Sequence, residues 1–312
     1  YGSDPKKGTR KKIGSFLVFS EFHSNLITSA TFMTAMAPNL VIVALAKTLH
    51  INITWLGWFV AGVLPSVICL IATPYIIYKM YPPEIKETPN AKEWADKELK
   101  DMGSMKLSEK LMGLIFILTL ILWMLTSFVP TIDAAFVAFL AIALLLITGV
   151  LETKDILKET GAWNVLIWLS VLVYMANQLS ELGFIKWFSG SIGSALHGIS
   201  WVWVMVVLMV VYFYAHYFFA SATAHVTAMY AAFVSVAIAA GAPAMLAAML
   251  LAFTSAFMSS TTHYANGPAS VLSSSGYVTQ SEWWKMNFVM GIFYLLVYGI
   301  IGSLWMKMIG LW

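Results

Sequence analysis

The sequence predicts an all-α polytopic membrane protein, and three observations carry that prediction. Hydrophobic residues make up 60% of the 312-residue chain and charged residues only 11%, with a mean hydropathy of +0.80; a soluble core of this size does not need that balance. The apolar residues fall in long runs, of the roughly 20-residue length that one helical crossing requires. The Lys and Arg residues collect between those runs, as they do in cytoplasmic loops.

Taken in order, residues 1–12 form a basic segment with five of the 18 Lys and Arg in 6–12, which places it in the cytoplasm. An apolar run at 13–47, interrupted in its middle, and a second at 54–78 lead out and back. Residues 79–110 then hold seven more Lys and Arg. Within them, 79–108 carries nearly balanced charge with Pro82, Pro83 and Pro89, and reads as a solvated cytoplasmic linker with one short surface helix. Runs at 111–128 and 133–150 return Lys154 and Lys158 to the same side. Further runs follow at 163–181, 199–219, 222–240, 243–280 (interrupted) and 286–310, and not all of them need cross fully. The net charge of +3 says little by itself, and nothing in its placement supports a nucleic-acid role. Cys69, the single cysteine, lies in an apolar run and reads as a small buried hydrophobe, so neither a disulfide nor a thiolate metal site is expected. With no initiator Met or signal peptide, the chain is taken as a piece of a longer protein.

The two interruptions are the most informative features. TSATFMTAMAPN at 28–39 and SSTTHYANGPAS at 259–270 place hydroxyls, an amide and a proline inside apolar runs. In lipid, backbone leaves helical geometry only where protein or a water-filled cavity satisfies the freed groups, so both breaks are expected at an interior binding site. Two broken membrane helices point to a transporter. From Thr28 to the next run at Trp55 is 27 residues, and from Ser259 to the run at Met286 is also 27, which hints at an internal repeat.

Apart from the loops, the runs hold no arginine, and Lys47, Lys186 and Lys307 lie near predicted ends where they can snorkel. Glu21, His23, His216, His225 and His263 remain, and ionisable groups inside a membrane are functional candidates by default. Glu21 and His23 stand near the cytoplasmic start of their run and read as an interfacial pair. For His225 and His263 two readings stay open: a donor or protonatable group beside a ligand, or a neutral hydrogen-bonded core histidine. His216 and His225 are nine apart with no Asp, Glu or Cys nearby, so no metal site is expected. Single Ser and Thr residues in membrane helices usually bond to a carbonyl one turn earlier or join helices. Together, however, the hydroxyls and amides at the breaks and at Ser221 and Thr223 exceed what packing requires. Half-helix N-termini aimed at the midplane would hold a small anion without a fixed cation, and carbonyl ends could coordinate Na⁺ instead or as well.

SNLITSATFMTAMAPN at 24–39, FASATAH at 219–225 and SSTTHYANGP at 259–268 together resemble the divalent anion:sodium symporter family. The likeness is to the branch of citrate/succinate and tartrate/succinate antiporters and the plastid 2-oxoglutarate/malate translocator. It implies an inverted-repeat, elevator-type transporter in which a re-entrant hairpin and a broken helix recur in each repeat. By that pattern Ser221-Ala222-Thr223 is the tip of the second hairpin, at 199–240, and the first hairpin lies before residue 1, so the chain resembles the C-terminal two-thirds of such a protein. Residues 13–78 (the end of the first repeat) and 199–312 fall to a transport domain, 109–181 to scaffold helices, and 182–198 to a horizontal connecting helix. Homodimers in the cell inner membrane are implied.

The resemblance implies exchange of di- or tricarboxylates such as citrate, succinate, malate, 2-oxoglutarate or tartrate. Ser221, Thr223, Thr261 and Thr262 would receive carboxylates on one side and Ser29 and Thr31 on the other, with Asn39 and Asn266 bracing the breaks or reaching the ligand. Where the symporters carry Asn in the second tip, this chain has Ala222, which removes a cation ligand and favours exchange; His225 could supply a donor in its place. The alternative is a Na⁺-coupled symporter for the same anions, with Na⁺ as coupling ion at Ser221, Thr223 and Ser260. No other cofactor is expected. A remoter alternative is an intramembrane enzyme using these histidines, for which no acid partner appears.

Overall fold

The computed structural model describes all residues except 130, 185, 186, 188–190 and 192–197, and the described residues form helices without a strand. The first half of the chain forms α1 (Gly14–Thr31), α2 (Ala37–Thr48), α3 (Trp55–Met80), α4 (Ala91–Met102), α5 (Leu107–Leu125) and α6 (Ala134–Ile147). The second forms α7 (Thr153–Lys158), α8 (Thr160–Glu181), α9 (Trp201–Tyr214), α10 (Ala222–Ala239), α11 (Ala244–Met258), α12 (Gly267–Ser274) and α13 (Gln280–Met308). The connecting helix expected over 182–198, with Lys186, falls mostly outside the described residues.

Among the described residues five helices are long and apolar enough to cross a membrane: α3, α5, α9 with the turn that follows it, α10 and α13. Both interrupted runs are broken where expected. α2, with 12 residues, is about 18 Å long, short of the roughly 30 Å hydrocarbon core. α13 begins earlier than the apolar run suggests, because Thr279 and Glu282 close a capping box over its polar first turn (Glu282 N to Thr279 Oγ1 3.3 Å, Thr279 N to Glu282 Oε2 2.9 Å). A search for apolarity does not see such a start.

The chain divides into two compact units. The smaller comprises Thr54–Leu56 and Ile85–Ile167. Its α4 is the surface helix expected in the linker, with no buried residue. α5 and α6 form a hairpin in which Trp123 Nε1 donates to the Ala134 carbonyl (3.1 Å) and Asp133 caps α6 through the Ala135 N–H (2.7 Å).

The larger unit comprises Tyr1–Ile53, Gly57–Glu84 and Trp168–Trp312. Its centre is α11, apolar on all sides and with 13 of its 15 residues buried, as a helix enclosed by others must be. α1, α2, α9, α10 and α13 pack on it. Ala247, Ala248, Ala252 and Ala256 let those neighbours approach closely, which is how helices associate where no water is displaced. Its hydroxyls are paired: Thr254 Oγ1 donates to the Leu250 carbonyl (2.7 Å), and Ser255 Oγ donates to the Leu251 carbonyl (2.8 Å) and meets Tyr212 OH of α9 (2.9 Å), while Tyr230 OH of α10 donates to the Ala248 carbonyl (3.0 Å).

One end of this unit is held by the basic N-terminal segment. Arg10 donates both guanidinium nitrogens to Glu282 (2.7 and 3.0 Å) and also reaches Tyr81 OH (3.1 Å) and the Tyr277 carbonyl (3.0 Å). Tyr81 OH donates in turn to Glu282 (2.6 Å), so the segment, the end of α3 and the start of α13 share one cluster. The Glu282 hydrogen bond is the main reason the Arg10 guanidinium is held above its ordinary pKa. The expected Glu21–His23 interfacial pair is not formed. His23 is fully buried and meets Tyr294 OH through Nδ1 (2.9 Å), whereas Glu21 is exposed. The helical turn carries the two side chains to opposite sides of α1.

Candidate functional site

The two breaks are built alike. α1 stops at Thr31 and the chain resumes as α2 at Ala37; α11 stops at Met258 and resumes as α12 at Gly267. Pro38 and Pro268 each stand second in the resuming helix, where the first turn has no partner for the missing N–H anyway. Eight residues before each proline, a carbonyl freed by the break takes an indole N–H. Trp58 Nε1 donates to Ala30 (2.8 Å) and Trp283 Nε1 to Ser260 (3.2 Å). Each ring also packs on the helix that precedes the other break, Trp58 on Phe253 (centroids 5.7 Å) and Trp283 on Phe22 (4.5 Å). These bonds answer the orphan carbonyls that every helix end leaves.

Both asparagines are tied to their own loops. Asn39, fully buried, donates through Nδ2 to the carbonyls of Ser29 (3.0 Å) and Phe32 (3.2 Å), and its Oδ1 has no protein partner. Asn266 donates to Ser259 Oγ (3.0 Å) and caps α12 by accepting from the Ala269 N–H (2.8 Å). The carbonyl of Ser29 is thus taken by Asn39, while its half-buried side chain lies on the last turn of α1.

The predicted hydroxyls divide into engaged and free. Thr31 Oγ1 donates to the Ile27 carbonyl (2.7 Å) and meets Ser66 Oγ (2.7 Å), which meets Tyr298 OH (2.7 Å). This chain turns Thr31 into the core. Thr261 Oγ1 donates to the Met258 carbonyl (2.8 Å). Ser260 Oγ and Thr262 Oγ1, by contrast, are buried with no protein partner, a costly arrangement unless something else satisfies them. All four residues from Ser259 to Thr262 are fully enclosed.

The hairpin tip lies against the second break. The Ala222 N–H donates to the Ala265 carbonyl (3.1 Å), and Ser221 caps α10 by accepting from the Ala224 N–H (3.2 Å). Thr223 is half-buried, its carbonyl accepting from the Thr227 hydroxyl (2.8 Å). One turn on, His225 is buried between Phe219 (ring centroids 4.3 Å, stacked) and Tyr212 (4.6 Å). Its Nδ1 lies 3.1 Å from His216 Nδ1, so one ring carries the proton there and the other accepts it. Both Nε2 atoms lack a protein partner. The 3₁₀ turn Ala215–Phe218 folds the chain back and brings the two histidines together. His263 is half-buried and lines a cavity of about 310 Å³ with Ser270, Ser273, Thr279 and Trp283; none of the predicted binding residues lines it.

The sequence reading did not single out the side chains that hold the breaks: Trp58, Trp283, Ser66 and Tyr298. A signal existed in part, since each tryptophan stands near the start of the apolar run that follows a break, Trp58 just inside 54–78 and Trp283 just before 286–310. The tryptophan stands 20 residues beyond Pro38 in one case and 15 beyond Pro268 in the other, so a fixed-offset search misses it.

A family profile, that of the sodium:sulfate symporter transmembrane region, matches residues 1–312. YflS of Bacillus subtilis, a candidate malate transporter by name, is 48% identical over 314 residues. Dicarboxylate transporter 2 of the spinach (Spinacia oleracea) chloroplast is 38% identical over 315 residues. The L-tartrate/succinate antiporter of Escherichia coli is 34% identical over 312 residues. The matches cover 100%, 100% and 99% of this chain but 65%, 56% and 63% of those proteins.

Proposed function

From the premise that this chain belongs to the sodium:sulfate symporter transmembrane family, we propose that it forms the greater part of a secondary transporter exchanging di- and tricarboxylates across a bacterial-type inner membrane. The family and the relatives named above are transporters rather than enzymes, so the histidine-enzyme reading is set aside. The observation that carries the proposal is the paired construction of the two breaks, with a hydroxyl-bearing tip against the second. The names of the three relatives point to malate, tartrate, succinate and dicarboxylates generally.

In this reading the matching breaks, each held by a tryptophan that packs on the other's helix, belong to two inverted repeats. Residues 199–240 are a re-entrant hairpin, 13–78 and 199–312 move as a transport domain against scaffold helices at 109–181, and two copies associate. The separation of the chain into two compact units agrees with that division for most of its length, except that 168–181 falls with the larger unit and Thr54–Leu56 with the smaller. Substrate carboxylates are received by the tip, through Ser221, Thr223 and the free nitrogen of His225, and by Ser29. Thr262 joins when its loop opens, since its hydroxyl already lacks a partner. Thr31 and Thr261 act one step back, by fixing the ends of α1 and α11; Asn39 and Asn266 keep the loops in register.

A Na⁺-coupled symporter for the same anions is favoured by one observation of its own. Ser260 Oγ is a buried, unpartnered oxygen in the break whose Ala265 carbonyl meets the tip, and with Ser221 and Thr223 it offers the hard oxygen ligands such a cation takes. Uptake of radiolabelled succinate into proteoliposomes of the full-length protein separates the readings. Uptake that requires internal dicarboxylate and ignores Na⁺ supports exchange; uptake into empty vesicles that requires Na⁺ replaces it with symport.

A further inference from the structure

A groove of about 490 Å³ runs between α9 and α13 of the larger unit, with α11 as its floor. One face of α9, from Trp201 to Val210, forms one wall, and a face of α13 from Leu295 to Leu304 forms the other at the same helical spacing. Leu250 on the floor is 2% exposed, whereas Val206 and Ile300 on the rims are 44% and 57% exposed. α13 makes its π-helical turn at Val297–Gly302 along its wall of the groove. There Gly299 has no side chain, and a Cβ added to it would meet only Met209 Cε, at 3.7 Å.

The mouth of the groove differs from its interior. Trp201 and Trp312 meet edge to face (5.5 Å, 84°), and Lys307 Nζ stands 4.8 Å from the Trp312 ring centroid. α13 starts in the Arg10 cluster, on the side the basic segments mark as cytoplasmic, so its far end with Lys307 and Trp312 lies at the outer interface, where tryptophans collect. The nine steps from Trp201 to Val210 span about 14 Å at 1.5 Å per residue, close to half of a roughly 30 Å hydrocarbon core.

We propose that this groove binds an anionic phospholipid of the outer leaflet, with one acyl chain in the slot, the glycerol at the two tryptophans and the phosphate at Lys307. The slot's depth of one leaflet calls for a chain, and the lysine at its mouth for a negative headgroup. The proposal needs only the membrane setting of the family and does not depend on which anion is transported.

The test is native mass spectrometry of the full-length protein released from nanodiscs of mixed phosphatidylglycerol and phosphatidylcholine, with the photoreactive residue benzoylphenylalanine placed at Val206 in a parallel sample. Expected are a retained phosphatidylglycerol, its loss in Gly299→Leu at unchanged melting temperature, and a phospholipid adduct at position 206. Lys307→Gln should lower the preference for phosphatidylglycerol about fivefold, the size of one lysine–headgroup contact. The proposal is overturned by a wild type that strips to no lipid, by equal retention in Gly299→Leu, or by an unaltered preference in Lys307→Gln. A cross-link from position 206 to protein would make the groove a protein interface instead.

Discussion

Replacing Trp58 with Phe tests whether the indoles hold the breaks. Trp58 is fully buried, and its Nε1 lies 2.8 Å from the Ala30 carbonyl. Phenylalanine keeps the ring contact with Phe253 but leaves that carbonyl buried without its donor, at a cost of about 1–2 kcal/mol. It also empties roughly 40 Å³, which at about 24 cal/mol per Å³ adds about 1 kcal/mol. The expected loss is therefore about 2–3 kcal/mol. Trp283→Phe should cost nearly the same, because Trp283 is equally buried and makes the corresponding bond at 3.2 Å. The two rings are bonded to different breaks, so the double variant should lose the sum to within about 0.5 kcal/mol. Cys69 is a convenient reporter, since it is fully enclosed in the same unit. Maleimide labelling of its peptide during a temperature ramp in detergent, read by mass spectrometry, should move to lower temperature by roughly 5–10 °C in each single variant. A labelling curve for Trp58→Phe that overlays the wild type would refute the assignment of the indoles as supports for the breaks.

Other expectations follow from the same contacts. Arg10→Met and Glu282→Gln should each destabilise the larger unit, and a double-mutant cycle read by the same labelling should return a coupling of about 1–2 kcal/mol, because the pair is bidentate and only about one-fifth exposed; a coupling near zero would reduce the cluster to a surface contact. His50, at φ +60° after α2, lets the Ile51 N–H reach the Ala46 carbonyl (3.0 Å). Glycine there should raise stability by up to about 1 kcal/mol in thermal melts by relieving the left-handed strain, and a lower melting temperature would show that the imidazole contributes more than the strain costs. His225→Ala should weaken dicarboxylate uptake per folded protein about tenfold or more, the loss of one hydrogen bond to a charged ligand, and should also move the Cys69 labelling curve to lower temperature, because the buried ring leaves a cavity and the His216 Nδ1 without its partner; unchanged uptake would remove His225 from the site. Thr31→Val should lower stability by about 1 kcal/mol by breaking the hydroxyl chain to Ser66 and Tyr298 and alter uptake less than His225→Ala does. The reverse order in the transport assay would return Thr31 to direct contact with substrate.

Composition and the position of polar residues determined the helical, membrane-spanning class and the place of both breaks, because hydroxyls, an amide and a proline inside apolar runs are local signals that need no knowledge of neighbours. The surface helix Ala91–Met102 was legible for the same reason. The start of α13 at Gln280 was not read, since a capping box is polar and an apolar window passes over it. Neither was the fate of His23, whose burial against Tyr294 joins residues 271 apart in the chain. Only the tertiary structure decided which hydroxyls are spent on the protein and which are left over. Thr31 and Thr262 are indistinguishable as residue types in a break, yet one is bonded to Ser66 and the other is buried without a partner. It likewise paired His216 with His225 and brought each indole to the carbonyl it covers. Sequence spacing reports which groups a helix end leaves unsatisfied, but the partner that satisfies them comes from another helix, and its identity depends on packing geometry that no local pattern contains.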